Sequence, residues 1–377
     1  MTDKRKTTFT QALRQRVNAA QAHSVVTPLY QCSAFHADSP YFYTRKNNPN
    51  IAELEEVMCL LEGAKYALAV TTGMTAISLV LDVLKAGDLL VVNKDIYGCS
   101  YKLVQRLSER RQFSLQWLDL SIESNLSKIP NSARMVFFET PTNPYLKTVK
   151  IAQIRQHAGD ALIAVDNTWA TPLFQQPLNH GADISLHSAT KYLSGHSDVM
   201  GGIILTNRED LDAEFRSARF YSGGIIDPHS SWLLRRSIQT LAIRMRSHTE
   251  TTGKLRDFLA DCPQVARVYF PDVDGVQLES YGGILFFQLR ADLAERYQEF
   301  AKALALFDTG TGMACVTSMV AQPYTGSHAS MNDEEKASIG LGRELVRLSF
   351  GLECPDDLCA DLANALAAIE HRREKDR

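Results

Sequence analysis

The chain has 377 residues, 45% hydrophobic and 22% charged, with 21 Gly and 13 Pro, a composition that excludes disordered, collagen-like and disulfide-stapled classes. With 40 Lys and Arg against 43 Asp and Glu, the formal net charge is −3, which gives no basis for nucleic acid or an anionic membrane as a partner. The 7 cysteines match no zinc-site spacing and no apolar run is long enough to span a membrane, so reduced thiols, no metal site and a cytoplasmic location are expected.

Residues 1–48 are polar and irregular, with scattered aromatics (Tyr30, Phe35, Tyr41, Phe42, Tyr43), and read as an extended arm. The N-terminal stretch is basic but lacks the apolar core of a signal peptide. Asn48-Pro49-Asn50 then introduces a helix with apolar residues at helical spacing from Ile51, stopped by Gly63. Tyr66–Val70 reads as a strand, followed by Thr71-Thr72-Gly73-Met74 and a helix to about Leu84. Leu89–Asn93, Leu115–Leu118, Met135–Glu139, Leu162–Asp166 and Ile184–Ser188 are further β-branched or apolar runs, each followed by a turn and a helical pattern. Repeated β-then-α units with strands apolar on both faces predict an α/β domain over 49–240 with a mostly parallel central sheet. Beyond about residue 240 the pattern changes. Helices over His248–Leu259 and Leu293–Leu306, strands over Val265–Tyr269 and Gly283–Leu289, and a last helix from about Asp356 into a charged tail predict a smaller α+β domain over 241–377.

The chemistry-bearing residues follow the predicted strands. Asp166 ends one, in VDNTWATP; Lys191 follows another, in HSATKYLSGHSDVMGG; Gly73-Met74 lies between a strand and a helix N-terminus. All three belong at the carboxyl edge of the sheet, where such folds bind ligands. Pyridoxal 5′-phosphate (PLP) would account for this set. Its aldehyde needs a lysine amine, its pyridine nitrogen a carboxylate, and its phosphate a helix N-terminus with added hydroxyl donors. Lys191, Asp166 and Gly73 supply these in turn, with Ser188 and Thr190 as donors. Taken singly, a lysine after a strand reads as a surface residue and an aspartate at a strand end as a cap; the joint pattern carries the assignment. No G-x-G-x-x-G follows the first strand, so a dinucleotide site is not expected.

From about Val26 to Leu366 the chain resembles the Cys/Met-metabolism branch of the fold-type I PLP enzymes, which includes cystathionine γ-synthase, the cystathionine lyases and methionine γ-lyase. The resemblance rests on VTPLYQCSAF, YTRKNNPN, LEGAKYALAVTTGMTAI, DIYGCSY, FFETPTNPYLK, VDNTWATP, HSATKYLSGHSDVMGG, LLRRSIQTLAIRM and VRLSFGLECPDDL. It implies a PLP-transferase fold, with the Schiff base and proton transfers on Lys191, the pyridine nitrogen on Asp166, and Tyr97 stacked on the ring and aiding proton transfer. Gly73, Met74, Ser188 and Thr190 would hold the phosphate. Tyr43 and Arg45 would reach the phosphate of a neighbouring subunit, so that active sites are shared in a homotetramer built as a dimer of dimers. Arg347 would clamp the substrate carboxylate, with Asn143 supporting it or the cofactor. The implied reaction is γ-elimination or γ-replacement on a homoserine- or methionine-like amino acid, with β-elimination from cystathionine or cysteine derivatives as the alternative and a non-catalytic binding protein as a third.

The chain departs from the family pattern in three places. The N-terminal arm lacks the usual histidine-glycine pair ahead of VTPLYQ. Arg45-Lys-Asn-Asn-Pro-Asn50 carries Asn47 for a glycine and Asn50 for a threonine, and asparagine would tolerate a left-handed turn there. The closing loop S-L-G-G reads Gly312-Met-Ala-Cys315, with Thr311 at the position that separates family activities, which points to a specialised substrate. Cys99 matches the cysteine of methionine γ-lyases. His187, His196, Trp169, Arg235 and Arg236 read as structural, and Asp333-Glu334-Glu335 as a solvated helix start.

Overall fold

A computed structural model describes residues 3–14 and 24–375 of the chain. In chain order its elements begin with α1 (Asp3–Arg14), α2 (Pro49–Glu62), β1 (Tyr66–Val70), α3 (Gly73–Leu81), β2 (Leu89–Asn93), α4 (Gly98–Arg111), β3 (Ser114–Leu118) and β4 (Ala133–Glu139). Next come α5 (Ile151–His157), β5 (Leu162–Asp166), α6 (Thr171–Phe174), β6 (Ile184–Ser188), β7 (Gly202–Thr206), α7 (Glu209–Ser222), α8 (Pro228–Ile238) and α9 (Leu241–Ala260). The remainder is β8 (Val265–Tyr269), β9 (Ile284–Leu289), α10 (Tyr297–Ala303), β10 (Asp308–Thr309), β11 (Met319–Ala321), α11 (Asp333–Ser338), β12 (Leu345–Ser349) and α12 (Pro355–Lys375).

Seven strands form one sheet in the order β1-β7-β6-β5-β4-β2-β3. Only β7 runs against its neighbours, so β1 points the same way as the parallel strands β6, β5, β4, β2 and β3. Alternation along each strand buries both faces. Val92, Phe137, Ala164 and Leu186 pack with α3, while Val91, Val136, Phe138 and Val165 pack with α5 on the other side. A second sheet, β10-β11-β12-β9-β8, is antiparallel except for the β10–β11 pair.

Three readings of the sequence need correcting. The arm is not extended throughout, because residues 3–14 form α1, whose last carbonyls, at Ala12 and Leu13, accept from the Arg235 guanidinium. That guanidinium also pairs with Glu53, so the helix end is closed by a residue 222 positions away that local patterning cannot reveal. Residues 15–23 of the arm, and the last two residues of the charged tail, lie outside the described residues. The helix expected over Leu293–Leu306 is instead a 3₁₀ turn at Ala291–Arg296 followed by the short α10. It stops because Asp361 of α12 accepts from the amides of Ala305 and Leu306, which diverts the chain into an extended course. Asn47 is not left-handed; its side chain accepts from the Phe42 amide, so the turn is closed by a polar bond in place of glycine's freedom.

The helix ends read from the sequence at Asn48, Gly63 and Asp333 are where the pattern put them. Asn48 caps α2 and Gly63 ends it at φ 72°. Asn332 and Glu335 form a capping box ahead of the acidic start of α11.

Candidate active site

The carboxyl ends of β1, β4, β5 and β6 open onto a cavity of about 510 Å³. Gly73, Met74, Tyr97, Asn143, Asp166, Ser188, Thr190, Lys191 and Thr311 all line it, residues up to 238 positions apart in sequence. The sheet register makes this convergence. β1 and β6 flank the reversed β7, with Ser188 opposite Gly202, and Gly202 lies so close to the Thr72 carbonyl that a Cβ there would sit 2.2 Å from its oxygen.

Along one wall, Thr72 caps α3 by accepting from the Thr75 amide. The amides of Gly73 and Met74, at the first two helical positions, have no acceptor within the helix and carry the positive end of its dipole. A Cβ on Gly73 would lie 2.7 Å from the Ser188 Cβ, so only glycine lets this helix end meet the end of β6. The result is a cradle of amides and hydroxyls suited to a phosphate. The Thr190 hydroxyl is already shared with the Gly201 backbone.

Asp166 is buried at the end of β5. Its Oδ1 accepts from the Thr168 amide at 3.0 Å and from the Thr168 hydroxyl at 2.5 Å, and the same hydroxyl accepts from the Ser188 amide at 2.8 Å. Thr168 therefore ties the carboxylate to the end of the neighbouring strand, a role the sequence reading missed. Burial raises the Asp166 carboxyl above its ordinary value, while the two Thr168 hydrogen bonds and nearby His187 pull the other way. Behind it, His187 Nε2 lies 3.0 Å from Glu62, whose carboxylate also accepts from Ser185. His187 is thus structural, as expected, and so is His196, whose Nδ1 lies 2.6 Å from the Ser194 carbonyl.

Lys191 follows β6 in a tight turn, with its amide on the Ser188 carbonyl and its carbonyl on the Gly195 amide. Burial, with the positive Arg347 nearby, lowers its ammonium to about 8, so a reactive free amine is accessible near neutral pH. Tyr97 precedes α4 and its backbone amide donates to Glu139 Oε1 at 2.8 Å. Burial raises its phenol, and a hydrogen bond with Cys99 adds to the shift, so the hydroxyl keeps its proton. Asn143 is buried with its Oδ1 unpartnered within the chain, a polar atom left for a ligand.

The last wall comes from the loop after β10. Thr311, Met313 and Ala314 line the cavity. Arg347 on β12 does not. Its Nη2 donates to the carbonyls of Thr311 and Gly312 at 3.2 and 2.9 Å, and its buried Nε has no partner. Ser349 on the same strand accepts from the Ala314 amide at 2.7 Å. Tyr43 and Arg45 also lie away from this chain's cavity. Arg45 donates to the Phe220 carbonyl, and its guanidinium sits 4.5 Å from the Phe220 ring centre. Trp169 both lines the cavity and packs edge-on against Phe286.

Sequence reasoning missed Thr168, Glu139 and Met313. Glu139 ends a strand, so the rule that found Asp166 would have found it too. No described helix is long and apolar enough to cross a membrane, and all seven cysteines are free.

A family described as Cys/Met metabolism PLP-dependent enzymes matches residues 7–367. Among curated relatives, a cystathionine beta-lyase of Lactococcus lactis subsp. cremoris (strain MG1363) is 35% identical over 359 residues, covering 91% of this chain and 94% of the relative. A cystathionine gamma-lyase of Bacillus subtilis (strain 168) is 35% identical over 363 residues, covering 92% and 95%. Among solved structures, cystathionine gamma synthase from Xanthomonas oryzae pv. oryzae superposes with a TM-score of 0.92 at 34% identity, covering 97% of this chain and 98% of that one.

The cavity fits PLP. The Gly73 cradle admits no side chain, the Asn143 oxygen is unpartnered, and the donor set places one amine, one carboxylate and a helix end around a single space.

Proposed function

The chain belongs to the Cys/Met metabolism PLP-dependent enzymes, and on that premise we propose that it catalyses γ-elimination or γ-replacement on a homoserine- or methionine-like amino acid. The observation that carries this reading is the buried Lys191, lowered to about 8, in one cavity with Asp166 and Tyr97.

When bound, PLP supplies an electron sink for charge that develops at the substrate's α-carbon. Lys191 would hold it by its amine, Asp166 would pair with its ring nitrogen, and the Gly73–Met74 amides with the Ser188 and Thr190 hydroxyls would hold its phosphate. Pairing with a cation on the ligand would favour the ionised form of Asp166, against the effect of its burial. γ-Chemistry asks for proton removal at two adjacent carbons and a proton for the leaving group. In the cavity the Lys191 amine would move one proton at a time, handing the Cα proton on to the bound ligand before it takes the one from Cβ, and the Tyr97 hydroxyl would donate to the departing γ-substituent and recover its proton from the Lys191 ammonium. Arg347 is assigned to the substrate carboxylate, by exchanging one of its loop carbonyls for the ligand or through its free Nε.

Tyr43 and Arg45 lie outside their own cavity beside exposed Phe42 and Tyr221, which supports an assembly in which they complete a neighbouring subunit's site, as a dimer or a dimer of dimers. Free thiols throughout support a cytoplasmic setting. A second reading, β-elimination, is favoured by the Lactococcus relative. Incubation with O-acylhomoserines, methionine, cystathionine and cysteine separates them: 2-oxobutyrate or a γ-substituted amino acid supports the proposal, and pyruvate alone overturns it.

A further inference from the structure

Glu139 ends β4 directly opposite Asp166 on β5, and both residues line the same cavity. Both are buried. Asp166 accepts two hydrogen bonds from Thr168 and has His187 nearby, whereas Glu139 accepts one, from the Tyr97 amide. The groups acting most strongly on Glu139 after its burial are Asp166 from β5, the Tyr97 amide ahead of α4, and Asp95, itself paired with Lys147; none is a cation. Two neighbouring buried carboxyls without a cation between them do not both ionise, and the one with fewer donors keeps the proton.

We infer that Glu139 is a positioning residue carried as a neutral acid, anchoring the Tyr97 backbone and leaving Asp166 as the charged carboxylate of the site. The anchor matters because Tyr97 has no side-chain cap at the start of α4. The next residue, Gly98, is wedged so closely that a Cβ would sit 2.6 Å from the Ser327 carbonyl oxygen. The Glu139 carboxyl and the Gly98 contact together fix where the Tyr97 ring stands. A second anion beside Asp166 would also bias the cavity toward cations without a specific partner. Burial, then Asp166, raises the Glu139 carboxyl well above its ordinary 4.5, in keeping with this assignment.

The Tyr97 role rests on the cofactor reading above, so the test includes a readout that does not. Melting of the purified full-length holoenzyme is followed from about pH 5 to about pH 9 for wild type and Glu139→Gln. In the native state Glu139 keeps its proton above pH 4.5, where the unfolded chain has lost it, so wild-type stability falls as pH rises from 4.5 toward the raised value. Glutamine is neutral at every pH, so the signed melting difference, Gln variant minus wild type, increases with rising pH across that window, whatever its value at the acid end. A difference that stays constant with pH overturns the neutral acid, whatever the fate of the cofactor assignment. If the variant does not fold, infrared spectra of wild type carrying isotope-labelled glutamate decide: a protonated carboxyl band persisting above neutral pH supports the inference, and its absence refutes it. For positioning, Glu139→Ala, which removes the acceptor of the Tyr97 amide, loses at least about tenfold more kcat than Glu139→Gln. Equal losses in the two variants contradict the anchor.

Discussion

The floor and the roof of the cavity are built in different ways. Gly73, Asp166, Ser188 and Lys191 stand at the ends of strands in one continuous sheet or immediately after them, and their spacing follows from strand register. Thr311, Met313 and Ala314 hang on a loop held to β12 by side-chain bonds from Arg347 and Ser349. The floor therefore inherits the rigidity of the core, and the roof depends on a few polar contacts. Such a division would let one fold keep its cofactor while its substrate varies, and the Thr311–Cys315 segment, expected from the sequence to set the substrate, falls on the roof.

Substitutions on the two surfaces should differ accordingly. On the floor, Lys191→Ala removes the amine proposed to hold the cofactor and move protons, and turnover should fall at least about 10⁴-fold in steady-state assays. Asp166→Asn keeps the shape and the Thr168 contacts but loses the charge, and kcat falls about 10²–10³-fold. A loss of less than tenfold in kcat for the asparagine variant would break the claim that this carboxylate acts electronically. On the roof, Arg347→Lys loses the Nη2 that donates to both the Thr311 and the Gly312 carbonyl. We expect kcat/KM to fall about 10–100-fold, with cofactor retention, read from the visible absorbance, close to wild type. Loss of cofactor in that variant would erase the distinction between roof and floor.

The assembly claim has its own test. Hybrid oligomers of Lys191→Ala and Arg45→Ala chains pair one intact floor with one intact arm, and their activity should rise well above either variant alone. No recovery would place Arg45 outside the shared site.

The smallest effect concerns His328, which follows the cavity-lining Ser327. His328 is buried, its Nε2 lies 3.3 Å from the Ile96 carbonyl, and burial lowers its imidazole from 6.5 to about 4. A depressed histidine is neutral in the folded state, so stability is lost as pH falls below 6.5, where the unfolded chain takes up the proton first. From this group the cost reaches about 2 kcal/mol by pH 5. Melting curves of wild type and His328→Asn should converge in the acid range, and parallel curves would remove His328 from the account.

The same division decides what could be read from the sequence. Lys191, Asp166 and Gly73 were legible because each lies beside an apolar run whose end marks a sheet edge, and because short motifs surround them. Glu139 obeyed the same rule but sits in a stretch whose chemistry is dominated by the following prolines and Asn143. Thr168 was not legible, since its role comes from a hydroxyl that bridges Asp166 to the Ser188 amide across two strands. The engagement of Arg347 by a loop some 35 residues upstream was equally hidden, because it arises from tertiary contact. The helix in the arm escaped notice for a similar reason: its terminal carbonyls are satisfied by distant Arg235.

All of these readings depend on Lys191 as the residue that holds PLP. Borohydride reduction of the purified wild-type protein, followed by peptide mass spectrometry, tests this directly. The account predicts the reduced pyridoxyl group on the peptide that contains Lys191 and on no other lysine. A modified peptide elsewhere, or an unmodified Lys191 in protein that carries PLP, would contradict it.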